Sequence, residues 1–144
     1  MTFLDEIDAA FPSEPILNVS ALFTCDDEGA LESFRNHSWQ ELAAEIVNYH
    51  SASLTAFSPK GFAYYLPAFI VTSLQYQDLG VADAVIDCLC PPKSDLSHPS
   101  FVKRWDNLTP QQKRVAIKFL HHFEQRNPLT IRAAIQSLEA AIAD

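Results

Sequence analysis

Hydrophobic residues recur every three or four positions along most of the chain, the spacing that places side chains on one face of an α-helix. The clearest stripe runs from Ile131 to Ile142, with steps of four, three and four residues. No segment shows the strict alternation of apolar and polar residues that is typical of a half-buried β-strand. The pattern therefore predicts an all-α protein.

Two segments carry the pattern of a helix capping box, in which serine or threonine precedes glutamate or glutamine by three positions. Thr109 and Gln112 form one such pair, and the proline between them favours the first helical turn. Ser38 and Glu41 form the other pair, and the apolar residues after it predict one helix that continues to His50.

A proline lies inside the longest apolar segment. Ser58 and Pro59 predict a helix start, and the helical pattern then continues to about Gln77. Because Pro67 lacks an N–H and crowds the preceding turn, we expect the helix to kink or break there.

Shorter helical patterns flank this segment, among them Phe3–Phe11 and Val81–Leu89. We therefore expect a single-domain bundle of about six or seven helices over residues 1–144, with one helix kinked at a proline. Residues 1–33 are the least defined part, and an N-terminal arm is the alternative for them. The pattern does not decide the conformation of residues 12–30.

The composition agrees with one globular domain. The chain has 144 residues, and hydrophobic residues make up 48% of it. A chain of this size can bury a core without disulfides or metals. Only three residues are glycine, which argues against a barrel with many tight turns and against a glycine-rich nucleotide loop.

The net charge of −8 is concentrated at one end of the chain. Residues 1–50 contain ten acidic residues and one basic residue, Arg35, whereas residues 101–132 contain seven basic and two acidic residues. Because phosphate groups repel an acidic protein, we expect no nucleic-acid partner. An acidic surface is instead suited to a basic protein.

The first functional hypothesis is a non-enzymatic protein-binding module that engages a basic protein partner. A toxin-neutralising, immunity-type role fits a small acidic domain without catalytic motifs. The candidate partner-binding residues are Asp26, Asp27, Glu28, Glu32, Glu41 and Glu45.

The alternative hypothesis is a small enzyme or ligand-binding protein with its site at the Pro67 kink. Its candidate pocket residues are Tyr64, Tyr65, His121 and Glu124. The tyrosines fit equally well in a kinked core helix, where they bury their rings and form hydrogen bonds at their tips. A homodimer without any other partner is a third alternative.

No catalytic residue, cofactor or metal site is predicted. Cys88 and Cys90 are only two positions apart, and His121 and Glu124 would need carboxylates from other helices to hold a metal. Three cysteines without a framework spacing suggest free thiols in a reducing compartment.

The expected location is cytoplasmic, without a membrane segment. The first residues lack the basic start and apolar stretch of a secretory signal. The uncharged stretch from Gly61 to Gln77 has 17 residues and includes a proline, so we interpret it as a core helix.

Two segments of the chain resemble a known family. Residues 62–69 read Phe-Ala-Tyr-Tyr-Leu-Pro-Ala-Phe, and residues 108–112 read Leu-Thr-Pro-Gln-Gln. Together with Trp39, they resemble an uncharacterised family of small bacterial proteins over residues 34–125. The resemblance implies a soluble bacterial protein. It implies no reaction, and therefore no residue roles.

Overall fold

The computed structural model describes residues 2–12, 33–34 and 37–143. No β-strand is present in these three stretches, so the predicted all-α class is confirmed. Seven α-helices have both ends in this part: α1 (Phe3–Ala10), α2 (Ala44–Tyr49), α3 (Pro59–Gln75), α4 (Val81–Leu89), α5 (Pro99–Asp106), α6 (Pro110–His122) and α7 (Pro128–Ala143). Short 3-10 helices cover Trp39–Glu41, Ser51–Ala56, Pro92–Ser94 and Glu124–Arg126.

Helix α3 is the central element of the bundle. The Ser58 side chain accepts a hydrogen bond from the Gly61 N–H at 3.1 Å, and Pro59 occupies the first turn. Pro67 does not end the helix, which continues to Gln75. Neighbouring elements bury most of α3, including Pro67 itself, and this packing favours a continuous helix despite the missing backbone donor.

An aromatic cluster fixes the chain before α2 against α3. The Phe34 ring lies 5.2 Å from the Tyr65 ring and 5.7 Å from the Phe57 ring, measured between centroids. The Tyr65 hydroxyl lies 2.7 Å from the Phe34 carbonyl oxygen and 3.1 Å from that of His37, both of which accept from it. The cluster therefore combines apolar contact with hydrogen bonds to the neighbouring backbone.

The predicted single helix from Ser38 to His50 is wrong. A 3-10 turn at Trp39–Glu41 is followed by two extended residues, Leu42 and Ala43, before α2 begins. The Ser38 side chain makes no capping hydrogen bond. Trp39 is buried instead, and its indole N–H donates to the Pro12 carbonyl oxygen at 2.9 Å, which holds this turn against the N-terminal segment.

Helix α1 packs on the domain. Ile7 is fully buried, and the Gln112 side chain donates to the Ala10 carbonyl oxygen at 3.0 Å. Helix α1 therefore packs on the domain and contributes Ile7 to its core. Most of the segment for which the sequence left an arm or an undecided conformation, residues 13–32, lies outside the described residues.

The C-terminal helices follow the sequence pattern. The capping box of Thr109 and Gln112 is formed in both directions, each with a backbone-to-side-chain distance of 3.1 Å. In α7, Ile131 and Leu138 are fully buried, as the apolar stripe predicts. Helices α6 and α7 pack against each other and complete the bundle.

Candidate functional site

A cleft of about 370 Å³ opens where α1 and the Trp39–Glu41 turn meet the second half of α3. We call it the N-terminal cleft. Its lining residues are Leu4, Asp8, Trp39, Gln40, Leu42, Ala44, Ala68, Val71, Thr72 and Gln75. The extended backbone at Leu42 and Ala43 helps to form the cleft, because it separates the Trp39 turn from α2.

The N-terminal cleft has an apolar wall and a polar rim. Trp39 and Ala68 are buried, whereas Asp8 and Gln40 are exposed. The Gln40 side-chain amide donates to the Asp8 carboxylate at 3.3 Å and so connects the two elements of the rim. Among the described residues that line the cleft there is no lysine, arginine or histidine, and Asp8 carries the one formal charge of this described lining.

Two of the predicted partner-binding acids flank the N-terminal cleft. Glu41 follows Gln40 in the chain and Glu45 follows Ala44, and both glutamates are exposed. The Glu41 carboxylate lies 3.3 Å from the His37 Nδ1 atom.

The charge of Glu41 also reaches a buried neighbour. Burial raises the pKa of Tyr64 above its ordinary value, a hydrogen bond with the Trp39 backbone opposes this shift, and repulsion by Glu41 adds to it. The structure thus places negative charge beside the N-terminal cleft.

Exposed apolar side chains occur on or next to the helices that contribute to the lining. Leu4 lines the N-terminal cleft and is 44% exposed, and Tyr76 follows the lining residue Gln75. On α2, Tyr49 is 83% exposed and Ile46 is also exposed. Tyrosine, like the other aromatic residues, is enriched at the centre of protein interfaces.

The other four predicted acids, Asp26, Asp27, Glu28 and Glu32, lie outside the described residues.

The structure does not bring the four predicted pocket residues into one site. Tyr64 and Tyr65 are buried in α3. The His121 ring forms a hydrogen bond of 3.0 Å with the Glu139 carboxylate, and Glu124 forms an ion pair with Arg132 at 2.9 Å. The list of N-terminal cleft residues includes neither tyrosine and instead takes Ala68, Val71, Thr72 and Gln75 from the next turns of α3.

Sequence reasoning missed the contribution of α1 to the cleft. Leu4 and Asp8 are four positions apart and therefore lie on the same side of that helix, which was a usable signal. That side of α1, however, contacts a turn that lies about thirty residues later in the chain, and no local pattern could indicate this contact.

The described cysteines have the properties of core thiols. Burial raises the pKa of Cys88 to about 11, partly opposed by the nearby Arg104 charge, and it raises the pKa of Cys90 to about 11 as well. Both are free thiols, and at neutral pH they stay protonated and weakly reactive. Cys25 lies outside the described residues.

Neither a metal-binding group nor a membrane span is found in the part of the chain that the structure describes. There, no three or more histidine, cysteine, aspartate or glutamate side chains are grouped so that they could hold a metal ion. Over the same residues, each helix is too short or too polar to cross a bilayer.

Comparison with known proteins gives a family but no activity. No curated protein and no solved structure matches the chain. One family model matches residues 24–141, which contain α2 to α6 and all but the last two residues of α7. The chain therefore belongs to the family of unknown function DUF6714.

Proposed function

We propose that this protein is a non-enzymatic binding module that engages a basic protein partner through the acidic surface around the N-terminal cleft. The observation that carries the proposal is the charge of this region. Asp8 lines the cleft, Glu41 and Glu45 flank it, and none of the described lining residues is basic. Such a surface attracts a basic partner and speeds its association.

The N-terminal cleft is suited to a lysine or arginine side chain of that partner. The alkyl part of such a side chain would pack on Leu42 and Val71, and its charged end would reach the Asp8 carboxylate. A cleft of about 370 Å³ is large enough to accept one side chain together with water. The exposed residues Ile46 and Tyr49 would add apolar contacts beside it.

Four further acidic residues and the biological role are proposed from the sequence alone. Asp26, Asp27, Glu28 and Glu32 extend the acidic surface in our proposal, because they belong to the same acidic part of the chain. A cytoplasmic, immunity-type protein that neutralises a basic toxin is the biological role that fits this character best.

The test begins with a tagged pull-down from a lysate of the native host at low and moderate salt, followed by purification of any basic protein recovered in stoichiometric amount. Its affinity is then measured by calorimetry for the wild type and for the double variant Glu41→Lys/Glu45→Lys. We expect the variant to bind about tenfold more weakly or worse, because two attractive charges become repulsive.

A matched control variant distinguishes the effect of this surface on affinity from the effect of the net charge. Asp106→Lys/Glu139→Lys changes the net charge equally, but both residues lie on helices that do not line the N-terminal cleft. We expect the control to retain most of the affinity. Equal affinities of the wild type and the Glu41→Lys/Glu45→Lys variant would exclude this surface.

The second candidate function is ligand binding in the N-terminal cleft, which lies beside Pro67 because its neighbour Ala68 lines it. Native mass spectrometry of the protein purified from its host distinguishes ligand binding from protein binding. A bound small molecule that is lost in a Thr72→Trp variant would favour this alternative. Recovery of the protein alone, as a dimer by size-exclusion chromatography, would favour self-association.

A further inference from the structure

A second cleft, of about 430 Å³, opens where the 3-10 helix Ser51–Ala56 meets α4 and α5. We call it the Arg104 cleft. Its lining residues are Ser51, Ala52, Thr55, Ala84, Asp87, Cys88 and Arg104. It shares no lining residue with the N-terminal cleft.

In the described part of the chain, Arg104 lacks an acidic partner of the kind that Arg126 and Arg132 have. Arg126 pairs with Asp83, and Arg132 pairs with Glu124, each at 2.9 Å. None of the ion pairs among the described residues includes Arg104, and its buried Nε atom has no hydrogen-bond partner there. Asp87 lines the same cleft but forms no ion pair with Arg104, so this half-buried guanidinium keeps unused hydrogen-bond donors that favour an anion.

Packing holds the Arg104 side chain in place. Its guanidinium carbon lies 5.7 Å from the centroid of the Phe62 ring, a cation–π contact. The Phe62 ring is buried, so it offers a fixed support. A guanidinium that is held in this way needs little further ordering to bind a planar carboxylate or a phosphate with two parallel hydrogen bonds.

The other polar groups of the Arg104 cleft indicate which chemical groups its ligand has. Ser51 supplies a hydroxyl that can donate to an anion, and Cys88, whose pKa is raised by burial to about 11, brings no negative charge. Thr55 already donates to the Ala52 carbonyl oxygen at 3.2 Å. Asp87 is the acid of this lining, and it can accept a hydrogen bond from the ligand.

We propose that the Arg104 cleft is a binding site for a small molecule that carries an oxyanion, either a carboxylate or a phosphate, and a neighbouring hydrogen-bond donor. The oxyanion binds to the Arg104 guanidinium and the Ser51 hydroxyl, and the donor faces Asp87. A volume of about 430 Å³ lies in the range of small-molecule sites. This site is independent of the proposed protein-binding surface.

The experiment is an NMR titration of the full chain with inorganic phosphate and, separately, with glycolate, which carries a carboxylate and a hydroxyl. Sodium chloride at matched ionic strength is the reference. We expect saturable shifts of the Arg104 Nε–H signal and of backbone signals near Ser51 and Cys88. The probe that binds with the higher affinity identifies whether the site prefers a phosphate or a carboxylate.

Three variants test the assignment. Arg104→Gln should weaken binding by about tenfold or more, because it removes the charge and the two-pronged donor. Lys103→Gln, the same charge change at an exposed residue that does not line the cleft, should leave the affinity nearly unchanged. Asp87→Asn should strengthen binding a few-fold, because it removes a negative charge that repels the oxyanion while the amide oxygen of asparagine can still accept from the ligand's donor.

Equal shifts with chloride, or equal affinities of the wild type and Arg104→Gln, would overturn the proposal. If Arg104→Gln fails to fold, Asp87→Asn and Ser51→Ala decide instead, and unchanged affinity in both would also overturn it. The Glu41→Lys/Glu45→Lys variant should bind the anion as the wild type does, so the two proposals can fail separately.

Discussion

At the scale of single residues, Tyr65 shows how one side chain can connect distant parts of this chain. It is completely buried in α3, and its hydroxyl donates to two backbone carbonyl oxygens about thirty residues earlier, those of Phe34 and His37. Burial also raises the pKa of Tyr65, so the hydroxyl stays a donor well above neutral pH.

We expect Tyr65→Phe to lower the free energy of unfolding by about 1 to 2 kcal/mol, measured by urea denaturation. The ring and its packing remain, so the loss reports the hydroxyl alone. Two carbonyl groups near the core would then lack this donor.

The matched control is Tyr49→Phe, which removes the same atom from a side chain that is 83% exposed. Its effect should stay within about 0.5 kcal/mol. Similar effects of the two substitutions would show that the Tyr65 hydroxyl does not stabilise the fold.

At the scale of elements, the two capping-box patterns had different outcomes. The Thr109–Gln112 pair forms both hydrogen bonds and begins α6. The Ser38–Glu41 pair forms neither, because burial of Trp39 and its bond to Pro12 hold the backbone in a 3-10 turn. A local pattern therefore predicts a cap only where the tertiary contacts allow a regular first turn.

We expect Thr109→Ala to lower the free energy of unfolding by about 1 kcal/mol, because it leaves the Gln112 N–H without its partner. Thr109→Ser keeps the hydroxyl and should restore most of this loss. The unfolding free energies of both variants are measured by urea denaturation, and we expect their m-values to equal that of the wild type.

Ser38→Ala is the comparison at the second pattern, where no capping bond exists. Its cost should be clearly smaller than that of Thr109→Ala. A larger cost would mean that the Ser38 hydroxyl stabilises the helix start in solution, although its side chain makes no capping hydrogen bond in the structure.

At the scale of the whole molecule, helix α1 lies outside the stretch that the family model matches, yet it belongs to the core. Ile7 is fully buried, Lys118 forms an ion pair with Glu6 at 2.5 Å, and the Phe3 ring stacks on the His122 ring. Helix α1 also contributes Asp8 to the N-terminal cleft. The proposed binding surface thus depends on an element outside the family match.

We expect Ile7→Ala to lower the free energy of unfolding by about 2 to 4 kcal/mol, measured by urea denaturation, since it leaves a cavity between α1 and α6. Leu4→Ala, at a side chain that is 44% exposed, should cost less than about 1 kcal/mol. A small cost for Ile7→Ala would indicate that α1 does not contribute to the stability of the domain.

The local parts of the fold could be predicted from the sequence. The apolar stripe in α7 and the helix starts at Ser58 and Thr109 depend on residues within a few positions of one another. The helical turn sets the spacing of an apolar stripe, and a cap satisfies an N–H through a near neighbour, so both features can be recognised without the rest of the chain.

Periodicity, capping and charge are local properties, so the helical class, the position of most helices and the excess of acidic residues follow directly from the amino-acid order. Three features depend on the folded chain instead: Pro67 does not break α3, the predicted helix at Ser38 is divided, and Asp8 meets Gln40 in a cleft. Each of these depends on contacts between residues far apart in the chain, whose packing outweighs local preference and leaves no pattern in any one segment.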